Sequence, residues 1–224
     1  AEQTIKRLGD SRPDWLVVDH YALDLHWESM LRPHCDRIMV IDDLADRQHD
    51  CDILLDQNLF IDLSSRYNNK VPVHCILLLG SRFAILRDEF VKLRKRCKAR
   101  TGSIKRVLVF FGSIDVDNYT ASAIQALVSI HKPNLQVDVV IGIQHPFLRQ
   151  IQSLCIDNNF VCHIQTQHIA ELILAADLAI GAGGISTYER LFLRLPAILK
   201  PVSFNQIESL TYMSSIGLFE LFST

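Results

Sequence analysis

The chain has 224 residues, room for one large domain or two compact ones. At 49% hydrophobic and 21% charged, its composition is that of a folded protein and excludes disorder, collagen and coiled coil. With 23 basic against 25 acidic residues, the net charge of −2 gives no general electrostatic reason to expect nucleic acid or an anionic membrane as partner, so any anion site has to be local.

In chain order, apolar periodicity predicts helix over Thr4–Leu8, strand over Trp15–Val18, helix over Leu25–Leu31, then strands over Ile38–Ile41, Ile53–Leu55 and Cys75–Leu79. Helix follows over Arg87–Cys97, strand over Val107–Phe111, helix over Thr120–Ile130 and strand over Val137–Ile141. The remainder alternates in the same way: helices over Pro146–Cys155, His168–Ala175, Thr187–Phe192 and Gln206–Ser215, and strands over Phe160–Ile164, Leu178–Ile180 and Ala197–Leu199. Short, continuously apolar strands separated by helices are the pattern of parallel sheets covered on both faces, an α/β fold. The basic run from Lys92 to Arg106 contains Thr101-Gly102-Ser103, which breaks helical periodicity, and the domain boundary is expected there, with domains at 1–100 and 101–224. Two doubly wound, Rossmann-like sheets follow, and the cations of that run read as a solvated helix end and linker.

No apolar run approaches the roughly 20 residues of a membrane span, and the first residues carry no signal-peptide pattern, so a cytoplasmic protein is expected. Cys35, Cys51, Cys75, Cys97, Cys155 and Cys162 form no CxxC pair and read as reduced thiols. The nine histidines form no HExxH, and the triplets Asp50-Cys51-Asp52 and Asp115-Val116-Asp117 are too common to assign a metal, so no metal or other cofactor is expected. Since the chain opens with Ala1 inside a helical pattern, it reads as a trimmed fragment of a longer protein.

In open parallel sheets a ligand lies beyond the carboxyl ends of the strands. Those ends are rich in small and hydrogen-bonding residues: Asp19-His20-Tyr21, Asp42-Asp43, Asp56-Gln57-Asn58, Gly80-Ser81, Gly112-Ser113, Gly142 and Gly181-Ala182-Gly183-Gly184. The last of these leads through Ser186 and Thr187 into a helix; glycines let backbone N–H groups approach a phosphate, and a helix N-terminus adds partial positive charge. Glu189, three residues beyond Ser186, suits either a capping box or a ribose-binding carboxylate. Phe111-Gly112-Ser113-Ile114-Asp115 is a second such loop, while GxSxG, GxxxxGK[ST] and GxGxxG are all absent. A nucleotide-sugar cleft is the expectation that survives.

DHYALDLHWE at 19–28, IDDLADRQHDCDILLDQN at 41–58, LLGSRFAILRDEF at 78–90, FGSID at 111–115, GAGGISTYER at 181–190 and Asn205-Gln206 together resemble the PseG family. Its members are UDP-2,4-diacetamido-2,4,6-trideoxy-β-L-altropyranose hydrolases of pseudaminic acid biosynthesis, two-domain enzymes of the glycosyltransferase-B type similar to the UDP-GlcNAc transferase MurG. The resemblance implies a C-terminal UDP-binding domain, with Gly181, Gly183, Gly184, Ser186 and Thr187 at the diphosphate, Gly112, Ser113 and Asp115 closing from the opposite side, and Glu189 on the ribose. Asn205 and Gln206 would face the sugar, and Tyr21 matches the family tyrosine that reaches it from the N-terminal domain, Tyr21 and Asn205 being the catalytic candidates. The implied ligand is a UDP-linked diacetamido sugar, and the implied reaction is metal-independent attack of water on the anomeric carbon with inversion.

Three departures qualify the implication. The family's GxGHxxR loop, which carries the histidine base, occurs nowhere in the 224 residues, so the N-terminal domain is expected to be incomplete and this chain inactive by itself. Ser113-Ile114 stands where the family usually has Gly-Ser. Finally, the chain stops at Thr224, shortly after the 205–215 helix, where this architecture normally adds terminal helices. A MurG-like transferase and a non-catalytic nucleotide-sugar-binding module are the alternatives, and the oligomeric state is left open.

Overall fold

The computed structural model describes residues 1–222; the end at Thr224, on which the expectation about terminal helices turns, lies outside the described residues. Two compact units make up the chain, Ala1–Ile85 and Leu86–Thr224.

The first unit carries helix α1 (Glu2–Leu8), strand β1 (Trp15–Val18), helix α2 (Leu25–Leu31) and strands β2 (Arg37–Ile41), β3 (Ile53–Asp56) and β4 (Ile76–Leu79). The strands are all parallel and lie in sequential order, β1-β2-β3-β4. Asp24 starts α2 by accepting from the His26 and Trp27 N–H groups, an ordinary carboxylate cap. Val18, Ile38, Val40 and Leu54 point from one sheet face into a core closed by Cys35, Cys51 and Tyr67. Asp50 and Asp52, the first DxD triplet, both pair with Arg32, at 2.9 and 2.5 Å, and Asp52 also accepts from the Ile38 N–H.

At the carboxyl ends of β2 and β3 the core turns polar. The Tyr67 hydroxyl bridges the buried carboxylates of Asp42 and Asp56, and Arg66 reaches Asp56 at 3.1 Å. Burial nevertheless outweighs these partners and pushes the Asp56 carboxyl up to about 6. Between the unfolded value near 4 and about 6, the folded chain holds a proton that the unfolded chain has released. Stability therefore falls as pH rises through that window, by about 3 kcal/mol at most. Asp56→Asn should be less stable relative to the natural chain at pH 4 than at pH 7; a stability difference independent of pH, measured by urea unfolding, would refute the assignment.

The second unit begins with helix α3 (Asp88–Arg94), followed by β5 (Arg106–Phe110), α4 (Tyr119–Ser129), β6 (Gln136–Ile141), α5 (Leu148–Asp157) and β7 (Val161–Ile164). Helix α6 (Ile169–Ala175), β8 (Leu178–Ala182), α7 (Ile185–Phe192), β9 (Ala197–Lys200), α8 (Phe204–Ser215) and the two-residue β10 (Glu220–Leu221) complete it. Its six parallel strands lie in the order β10-β9-β8-β5-β6-β7. The chain thus winds outward from β5 to β7, returns to β8 on the other side of β5 and winds outward again, so the sheet is doubly wound with its switch point between β5 and β8. Helices α4 and α5 cover the face bearing Val107, Val109, Val139 and Ile141.

The units divide at Ile85 and Leu86, ahead of the boundary expected at Arg100. The reason is that α3 packs on α6 and α7, burying Phe90 and Leu93. Arg100 belongs to the same packing: its guanidinium donates to the carbonyls of Ile173 and Ala176 at the end of α6 and of Leu193 and Arg194 at the end of α7. One cation of the basic run therefore caps two helix C-termini, where carbonyls lack partners within the helix and the dipole is negative. Among the described residues, no helix is long and apolar enough to cross a membrane.

Candidate functional site

At the switch point β5 and β8 run side by side, with Phe110 opposite Gly181, and then diverge into the two glycine loops. A cleft of about 420 Å3 opens there, within the 300–1,000 Å3 usual for small-molecule sites. Gly112 and Ser113 line it from the β5 loop, Ile141 and Gly142 from β6, Gln165, Thr166 and Ile169 from the β7–α6 connection, and Gly183, Ile185, Ser186 and Glu189 from the β8–α7 turn. Arg87, immediately before α3, completes the lining.

Glycine is needed at two of these positions for different reasons. Gly184 has φ +92°, a backbone conformation that L side chains rarely adopt, and it starts α7 without a side-chain cap. Thr187 N–H donates to the Gly184 carbonyl at 2.9 Å, and the N–H groups of Ile185 and Ser186 before it are left for water or an anion. Gly183 has no room for a side chain, since a Cβ would collide with Leu210 Cδ1 and stand 3.0 Å from Gln206 Oε1. Across the cleft, the Gly142 N–H donates to the Ser113 carbonyl at 3.2 Å, locking the β5 and β6 loops together.

Glu189 is buried, and Arg87 donates to its Oε1 at 3.1 Å while also pairing with Glu89 at 2.9 Å. Burial raises the Glu189 carboxyl above the ordinary range and the Arg87 charge opposes that rise. The β8–α7 segment thus brings to the cleft both a glycine-shaped helix start and, about one turn further along the same helix, a carboxylate with the Arg87 cation beside it, a pair suited to phosphate and hydroxyl groups respectively.

Of the residues expected from the sequence, Gly112, Ser113, Gly183, Ser186 and Glu189 line this cleft. Gly181 lies inside β8 and lets it approach β5, and Gly184 sits at the back of the turn. Thr187 is buried on α7 with no hydrogen-bond partner for its hydroxyl. Asn205 and Gln206 stand on α8 behind the turn: Asn205 accepts from Ser203 Oγ at 2.6 Å, and Gln206 accepts from the Val202 N–H at 3.0 Å. Tyr21 belongs to the first unit, in the turn after β1, where partial burial, followed by the charge of Asp43 and a hydrogen bond to it, raises its pKa. Arg87, Gln165 and Thr166 line the cleft although the sequence assigned none of them a role; Arg87 lies inside the 78–90 block that carries the resemblance, and Gln165 and Thr166 follow β7 directly, where the strand-end argument, extended to that strand, finds them.

Asp115, expected at the ligand, holds the start of α4. It is buried, and its two oxygens accept from the Tyr119 and Thr120 N–H groups and the Thr120 hydroxyl, holding the start of α4. A carboxylate so placed is a helix cap, stabilising by about 1–2 kcal/mol. Asp115→Ala should lower stability by that amount in urea unfolding, with ligand affinity following through the loop; a fully stable variant with lost affinity would instead point to direct ligand contact. Among the described residues, no group of three or more His, Cys, Asp or Glu is placed to hold a metal ion.

No protein-family model matches the chain. A UDP-2,4-diacetamido-2,4,6-trideoxy-β-L-altropyranose hydrolase of Campylobacter jejuni is 23% identical over 219 residues, which cover 96% of this chain and 76% of that protein. An uncharacterized protein of Methanocaldococcus jannaschii is 22% identical over 202 residues, 87% of this chain and 42% of that one. Among solved structures, Acinetobacter baumannii MurG superposes with a TM-score of 0.61 at 14% identity, covering 98% of this chain and 62% of MurG. The chain spans less than two thirds of both the archaeal protein and MurG. At this identity the likeness to MurG concerns the fold: parallel α/β sheets in two units, of the glycosyltransferase-B type.

Proposed function

We propose that the second unit binds the UDP moiety of a UDP-linked sugar and that the protein to which this chain belongs hydrolyses it, releasing UDP and a 2,4-diacetamido-2,4,6-trideoxy sugar. The observation carrying the proposal is the switch-point cleft, which both glycine loops and the Glu189 carboxylate line. Similarity to the Campylobacter hydrolase across 96% of the chain supports the choice of ligand.

In this proposal the Glu189 carboxylate accepts hydrogen bonds from the ribose hydroxyls, and the N–H groups of Gly184, Ile185 and Ser186 take the diphosphate, with Gly112 and Ser113 lining the same cleft. Loss of UDP from an anomeric carbon is speeded by whatever stabilises negative charge on the leaving diphosphate, and this turn is fitted for that work. Water attack with inversion further requires a base, which the family resemblance places in a GxGHxxR loop absent from the 224 residues. Tyr21 and Asn205 are assigned to the sugar by their match to the family motifs. On this reading the chain binds UDP without turning over the UDP-sugar. The shared fold with MurG favours transfer to an acceptor hydroxyl as the second reading.

Calorimetric titration with UDP, using CMP and ADP as controls, tests the nucleotide assignment. Selective UDP binding is expected; a folded chain that gives no UDP signal would overturn it.

A further inference from the structure

Arg190 is the largest of the fully buried side chains among the described residues. It leaves α7 toward the β5–β8 junction, where Gly181 makes room for it: a Cβ at 181 would stand 3.1 Å from Nη1. Nη2 donates to the Ala182 carbonyl and, at 3.0 Å, to Ser186 Oγ, tying the end of β8 to the first turn of α7 across Gly183-Gly184. Nε finds no acceptor, and among the described residues the guanidinium makes no ion pair.

This arrangement is costly for a purely structural tether. Burying a guanidinium without a carboxylate partner is penalised by several kcal/mol, whereas an apolar side chain of similar volume would fill the space at no such cost. A neutral amide could satisfy Ala182 and Ser186 as well. Burial brings the group down to about 10, with the charge of Glu189 opposing the shift, so it remains a cation at neutral pH. What the position lacks is a counter-charge, and the uncapped start of α7 directly above it is where an anion would sit.

We infer that Arg190 is a positioning residue for phosphate binding: it holds the Ala182–Ser186 turn in shape and supplies, from beneath, the positive charge that a diphosphate at that turn balances. The inference rests on the nucleotide-diphosphate assignment of the same cleft. It requires the contribution of Arg190 to grow with the ligand's phosphate charge, which a merely structural role would not do.

The test compares the natural chain with Arg190→Met and Arg190→Lys, using UDP, uridine and inorganic pyrophosphate. Arg190→Met is expected to weaken UDP and pyrophosphate by about 30-fold or more and to leave uridine within about twofold. Arg190→Lys keeps the charge but not the fork, and an intermediate loss confined to the two phosphate ligands is expected. Equal losses of UDP and uridine, or UDP binding by Arg190→Met within about twofold of the natural chain, would overturn the inference. If Arg190→Met fails to fold, Arg190→Lys decides on the same comparison. A natural chain that binds neither UDP nor pyrophosphate would overturn the nucleotide assignment itself, and the inference with it.

Discussion

Alanine at position 181 is expected to destabilise the second unit by about 3 kcal/mol or more, a large effect for the addition of one methyl group. Gly181 has no unusual φ, so the expected cost is one of space rather than backbone strain. Its neighbour on β5 is Phe110, whose carbonyl oxygen the new Cβ would overlap, and a carbonyl in a central ladder cannot move aside without parting the strands. Arg190 Nη1 blocks the other direction at 3.1 Å. Urea unfolding should show the lower midpoint, and UDP affinity should fall with it because the β5–β8 junction is the floor of the cleft. An unchanged midpoint would show that β5 and β8 are not packed this closely.

The same junction separates what the sequence reveals from what it hides. β1 at Trp15–Val18 and α2 at Leu25–Leu31 have the expected bounds because apolar runs and an Asp24 cap mark them. Helix α7 starts at Ile185, two residues before the expected Thr187, since Gly184 with its positive φ leads straight into the helix. β10 has only Glu220 and Leu221 and therefore no period to detect. Glycine turns at 112 and 183–184 are legible because few other residues can occupy such positions. A carboxylate after such a turn is ambiguous: Asp115, expected at the ligand, caps α4, while Glu189, left between capping and ribose binding, lines the cleft. Arg87 and Arg190 are hidden for another reason. Both lie within the blocks at 78–90 and 181–190, but their importance lies in contacts made by the fold, between Arg87 and Glu189 in one case and between Arg190 and the end of β8 in the other, which no local pattern announces.

Glu189→Ala is expected to lower UDP affinity by about 100-fold, the cost of losing charge-assisted hydrogen bonds to two ribose hydroxyls at about 1.5 kcal/mol or more each. Unlike the change at Arg190, it should weaken uridine as much as UDP and leave pyrophosphate almost unaffected, because in the proposed pose the ribose is held by the Glu189 side chain and the phosphates by backbone N–H groups at the start of the same helix. Arg87 retains Glu89 at 2.9 Å, so the variant does not strand a cation in the cleft. Glu189→Gln keeps an acceptor but loses the charge and should fall between the two. Since burial raises the Glu189 carboxyl, acidification should protonate it, and weaken UDP, at a higher pH than for an ordinary glutamate. A 2′-deoxy analogue of UDP gives the decisive comparison: the natural chain should prefer UDP, and Glu189→Ala should bind the two alike. If the preference survives in Glu189→Ala, another group holds the ribose, and Glu189 is confined to pairing with Arg87.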